Sequence, residues 1–155
     1  MPSSLAGDIE AKAGPVTVRV KVVSIGGRSW ITNPFSREWQ RLPGTTALAE
    51  LFDPAGGVRA IVEAMADVRP AGQEKMGGVE AYRLEGEVDS MVLQAFISRA
   101  RPGFPVKVTV WVGTDDFLPR RVRIVGRLSM DEAADIVREI DLSRFDAPVE
   151  IKPPV

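Results

Sequence analysis

The stretch Val106-Lys107-Val108-Thr109-Val110-Trp111-Val112 alternates valines with other side chains over seven consecutive positions. Successive side chains of an extended strand point to opposite faces, so a period of two means a strand with one face buried. Val16, Val18, Val20 and Val22 repeat the pattern against Thr17, Arg19 and Lys21. Two stripes of this kind commit the chain to a sheet with one face withdrawn from water, and antiparallel pairing suits such a sheet.

The punctuation between stripes is that of hairpins. Gly26-Gly27 predicts a two-residue turn from the first valine stripe into Ser29-Trp30-Ile31-Thr32, and Asn33-Pro34 a further turn before Trp39-Gln40-Arg41-Leu42. Met76-Gly77-Gly78 joins a strand over 71–75 to one over 79–87, and Gly113-Thr114-Asp115-Asp116 leads to a strand carrying Val122, Ile124 and Leu128 against Arg121, Arg123 and Arg127. Met130 to Ala134 reads as a hairpin tip before a strand over Ile136 to Leu142; Leu5 to Lys12 is a weaker strand. Two helices interrupt this series. Asp53-Pro54 is a helix start, with Asp as N-cap and Pro at the first helical position, followed by Val58, Ile61, Val62 and Met65 at helical spacing. The second is expected from Asp89 to about Arg101, with Val92, Ala95 and Phe96 on one face, stopped by Pro102-Gly103. Eight to nine strands with two amphipathic helices make an α+β domain, and 155 residues suit a single one, spanning 1–155.

Composition removes several functions. No Cys and no His leaves no thiol nucleophile, none of the usual soft metal ligands, and none of the commonest general base. The balance of 20 Lys+Arg against 21 Asp+Glu gives no basic field for nucleic acid. Apolar runs are only a few residues long, far short of a membrane span, and no signal peptide is visible after Met1-Pro2. Ser3, Ser24, Ser29 and Ser90 lack a His to activate them. None of the pairs Gly26-Gly27, Gly56-Gly57 and Gly77-Gly78 belongs to a phosphate-binding loop. Asp115-Asp116, and likewise Asp131, Glu132 and Asp135, could offer oxygens to a cation but read first as solvated turns. No metal or cofactor is expected. The stretch Arg120-Arg121-Val122-Arg123 is a solvated sheet face by default and otherwise a place for an anionic headgroup.

Several short motifs in order carry a resemblance. They are Leu5-Ala6-Gly7-Asp8; a valine-rich hairpin ending in Trp30; Trp39; Leu51-Phe52-Asp53-Pro54 with Gly57-Val58; Gly77-Gly78-Val79-Glu80-Ala81-Tyr82; Val108 to Val112; Leu118-Pro119; and Asp141-Leu142-Ser143-Arg144-Phe145 before Pro148-Val149-Glu150-Ile151. The chain resembles the LppX/LprG-type lipoproteins of bacterial cell envelopes, whose fold is similar to the LolA/LolB lipoprotein carriers. The resemblance implies a curved antiparallel half-barrel, with helices covering a concave apolar face and acyl chains held between. It implies an extracytoplasmic carrier of lipids, tethered to the membrane surface through an N-terminal Cys that this sequence lacks. The family's first helix and first strand should precede Leu5, and without them the Leu5 to Lys12 strand is expected at a sheet edge, where it would join two copies into a homodimer.

The expectation is therefore a non-catalytic lipid binder, its apolar site lined by Val18, Val20, Val22, Trp30, Phe52, Ile61, Val62, Met65, Val92, Phe96, Val108, Val110, Val122 and Ile124. The rival is a structural or interaction module of the same fold with a filled core and no ligand. A hydrolase using two acids is a third class, for which two carboxylates would have to converge in a cleft.

Overall fold

The computed structural model describes residues 4–13, 15–42, 57–94, 97, 99–143 and 152–154. Nine strands form one antiparallel sheet: β1 Ser4–Ala13, β2 Val16–Ile25, β3 Arg28–Thr32, β4 Trp39–Leu42, β5 Ala66–Met76, β6 Val79–Asp89, β7 Pro105–Gly113, β8 Pro119–Val125 and β9 Val137–Asp141. A seven-residue helix, α1 (Val58–Ala64), precedes β5. The strand order is β4-β3-β2-β1-β9-β8-β7-β6-β5, so the sheet is open, with β4 and β5 at its margins. Two hairpin meanders, β1 to β4 and β5 to β9, meet where β1 pairs with β9 through Ile9–Ile140 and Lys12–Val137.

That junction corrects the expected position of β1. The strand lies in the middle of the sheet, paired with β2 along its whole length and with β9 over residues 9–12. The open edge from which a homodimer was expected is thus occupied along part of its length by β9, and that ground for dimerisation falls away.

Local chemistry explains the hairpins. Gly26 and Gly27 take φ of 54° and 76°, the left-handed pair a two-residue turn requires, and so fix Ile25 opposite Arg28. At the β3–β4 turn the Asn33 side-chain oxygen accepts hydrogen bonds from the Phe35 and Ser36 N–H groups at 2.8 and 3.1 Å.

Helix α1 runs from Val58 with Gly57 at its N-cap position; Asp53-Pro54, the expected start, lies outside the described residues. The second expected helix differs. Ser90–Leu93 forms a 3-10 turn, capped by Asp89, whose carboxylate accepts from the N–H groups of Met91 (2.8 Å) and Gly103 (2.9 Å). Buried Ser90 donates its hydroxyl to the Arg101 carbonyl, and its N–H reaches the Phe104 carbonyl at 2.9 Å. These bonds hold the start of the segment to residues 101–104, just before β7, which favours a tight turn over a regular helix from Asp89. Farther on, Ile97 N–H bonds the Leu93 carbonyl at 2.8 Å and Arg101 N–H the Leu128 carbonyl at 2.7 Å.

The main core lies between the sheet and these segments. Val106, Val108, Val110, Val122 and Ile124 pack with Val58, Ile61, Met65, Val88, Leu93, Ala100 and Leu128, all buried. Strand β6 comes close to the chain beyond the helix at Gly86, where an added Cβ would lie 2.8 Å from Met65 Cε and 2.9 Å from the Ala66 carbonyl oxygen. Gly86→Ala is therefore expected to lower stability by about 1–3 kcal/mol, read as a reduced midpoint in urea; an unchanged midpoint would mean that Ala66 is free to retreat.

Candidate functional site

Residues directly opposite in an antiparallel ladder share a face, so the strand registers assign every side chain to one side of the sheet. Val18, Val20 and Val22 stand opposite Ala11, Ile9 and Gly7. Ile9 stands opposite Ile140, Ile140 opposite Val122, and Val122 opposite Val110. Ile124 and Val108 are likewise paired. Seven of the expected ligand-lining residues, Val18, Val20, Val22, Val108, Val110, Val122 and Ile124, thus lie on one face that runs from β2 through β1, β9 and β8 to β7.

This face has two regions. Over β6 to β8 it is filled: Ile61 and Met65 are buried with the strand valines, and Val62 and Val92 pack against them half-buried. Over β9, β1 and the first part of β2 it is more open, whereas Val22, farther along β2, is buried. Ile140, Ile9, Val18 and Val20 are only half-buried, and Val16, at the end of the stripe, is exposed. Ile9 and Ile140 were not singled out by sequence because their strands alternate weakly, yet they bridge the two regions.

Trp30 is not brought to this face. It stands opposite Val23 and Arg41, on the reverse side, where it is buried. The signal was present in the sequence: a two-residue turn at Gly26-Gly27 places Ile31, not Trp30, opposite Val22. Phe52 and Phe96 lie outside the described residues.

The reverse face is charged. Arg123 faces Glu139 and Arg121 faces Asp141 across β8 and β9, while Glu10 holds both Arg19 and Lys12. Hydrogen bonds from Lys12 and Arg19 keep the Glu10 carboxyl below its ordinary range. Trp111 lies on this side beneath Arg121, with its ring N–H on Glu74. The arginines of 120–123 are thus engaged with carboxylates here: Arg120 bonds Asp116, whose other oxygen accepts from Leu118 N–H at 3.0 Å. This arrangement supports the solvated-face reading over a headgroup site, and it gives Asp116 a turn-stabilising task.

Arg138 brings a charge onto the apolar face. Arg138 is paired in register with Ile124 and Ala11, and its side chain is 13% exposed. Its guanidinium donates to the Gly126 carbonyl at 3.1 Å and to Glu132, which is 20% exposed and also accepts from Leu128 N–H at 2.8 Å. This pair ties the β8–β9 connection to the end of the sheet.

At the same end an open groove of about 700 Å³ is lined by Val16, Val18, Pro34 and Phe35 together with Glu10, Lys12, Arg19 and Arg37. It brings the β3–β4 turn beside the start of β2 and is mixed in character. Among the described residues no group of three or more acids is placed to hold a metal ion, and no helix is long and apolar enough to cross a membrane.

An open antiparallel sheet with one apolar face under a short helix is an architecture shared with known lipoproteins. LprF from Mycobacterium bovis superposes with a TM-score of 0.63 at 13% identity, covering 96% of this chain and 89% of its own. LppX from Mycobacterium tuberculosis gives 0.56 at 15% identity, covering 97% and 90%. A LolA superfamily protein from Nitrosomonas europaea is also matched at 14% identity over 93% and 86% of the two chains, with a TM-score of 0.27. A comparison with curated proteins finds no match. The model of the LppX_LprAFG lipoprotein family matches residues 1–151, and the chain belongs to that family.

Proposed function

We propose that residues 1–155 form one lipid-carrier domain that binds acyl chains on its apolar face, without catalysis, in the bacterial cell envelope and outside the cytoplasm. The observation that carries the reading is the continuation of that face past the filled core onto β9, β1 and β2, where Ile140, Ile9, Val18 and Val20 remain half-buried. An acyl chain laid there gains ~0.8 kcal/mol per buried CH₂ and needs no specific polar partner. Family membership and the likeness to LppX and LprF support the envelope setting. Tethering to the membrane surface is part of the reading, through an N-terminal lipidated Cys beyond the present sequence.

Organic extraction of the purified protein followed by mass spectrometry is expected to release acyl lipid, and a fluorescent fatty acid should bind the delipidated protein. Val20→Asp places a charge on the half-buried stripe and is expected to weaken that binding at least about tenfold while the fold is retained. No lipid in the extract together with no uptake of the probe would favour the filled-core module, for which the packed region over β6 to β8 is the supporting observation.

A further inference from the structure

The four connections β1–β2, β3–β4, β6–β7 and β8–β9 all leave the sheet at the same end, because the strands alternate in direction. Each carries an exposed large apolar side chain. Val16, at the start of β2, is 57% exposed; Phe35 in the β3–β4 turn is 90%; Met91 after β6 is 59%; and Met130 before β9 is 76%. Among the described residues of the opposite end, Gly26-Gly27 and Gly77-Gly78 make two turns, and Phe117 is the one exposed large apolar turn residue, at 71%. Strands lie about 4.8 Å apart, so the four side chains mark a rim on the order of 30 Å long.

Phe35 is held firmly. The Asn33 side chain and the bond from Arg37 N–H to the Asn33 carbonyl at 2.9 Å brace its turn, so its exposure is built into the local fold. Asp89 braces Met91 in the same way. The connections of this end carry Arg37, Arg99, Arg101 and Arg127 against Glu38, Asp131, Glu132 and Asp135, so neither sign prevails in them. The rim is also continuous with the apolar face: Val16, Val18 and Val20 form one stripe running inward from it.

We infer that this rim docks on the surface of a lipid bilayer, with Phe35, Met91, Met130 and Val16 inserting among the lipids. Separate apolar tips on connections where neither sign prevails fit a zwitterionic bilayer, into which each tip enters individually. Docking at this end sets the mouth of the half-buried stripe against the membrane, so the inference rests on the acyl-binding reading of that stripe.

Flotation with phosphatidylcholine vesicles tests it. Wild type is expected to float with the vesicles to nearly the same extent at low and high salt. Phe35→Ser should reduce partitioning about tenfold and Phe35→Ser/Met130→Ser further, since full burial of one such side chain is worth that much. Phe117→Ser, at the other end, should leave partitioning unchanged. Met130→Ser, which lies outside the groove lined by Val18, should lower partitioning yet bind a soluble fluorescent fatty acid as wild type does, which separates this inference from the acyl-binding reading. Wild type that stays below the vesicles would overturn the inference. So would equal flotation of wild type and the double variant, an equal loss with Phe117→Ser, or strong dependence on salt. Concentration-dependent dimerisation abolished by Phe35→Ser, without vesicle binding, would instead assign the rim to a second copy of the chain.

Discussion

Val108→Asp is expected to leave little folded protein, whereas Lys107→Ser should unfold within about 0.5 kcal/mol of wild type. Val108 has no exposed surface and packs in the core, while its neighbour points to the reverse side of the sheet and is exposed. An unpaired charge at such a site costs several kcal/mol, a large share of the roughly 5–15 kcal/mol that holds a domain of this size together. Urea denaturation followed by circular dichroism reads both variants. A sensitive Lys107 beside a tolerant Val108 would place every side chain of β7 on the wrong face.

Glu132→Ala should be nearly as damaging, at about 3 kcal/mol, although it removes a single acid from a turn. Arg138 would keep its charge in a position only 13% exposed with one carbonyl left as acceptor, and Leu128 N–H would lose its partner. Replacing both members, as in Glu132→Leu/Arg138→Leu, is expected to recover much of the loss, because no charge is then stranded. Thermal melts of the three proteins decide the matter. A double variant no better than Glu132→Ala would mean that the turn needs the acid for its backbone bond rather than for the arginine.

Much of this architecture was legible in the residues, for identifiable reasons. Glycine pairs gave up the hairpins because only left-handed residues close a two-residue turn, and the valine stripes gave up the buried face of β2 and β7. Local patterns say nothing about which strands become neighbours, so the pairing of β1 with β9 was invisible and β1 was placed at an edge. The stretch after Asp89 has the apolar spacing of a helix, but Ser90 is bound to the chain a dozen residues downstream, and tertiary contact overrode local preference. Of the candidate site, the seven valine and isoleucine positions share a face as expected. Trp30 does not, because the two-residue turn at Gly26-Gly27 sets Ile31 opposite Val22 and turns the ring to the reverse side. The rim escaped notice because its side chains belong to distant turns that only the strand order brings together.

The union of the first strand with the last sets the order in which this sheet can be built. Each meander closes short loops and can form from local contacts, but the seam between Ile9 and Ile140 joins positions more than a hundred residues apart and must await the final strand. Until then the inner margins of both meanders stand bare, and a nascent chain carries open strand edges that its finished form joins over residues 9–12. Sealing is the slow, unguarded step, and crowding or a lagging C-terminal segment would divert the chain there, toward pairing with its own kind.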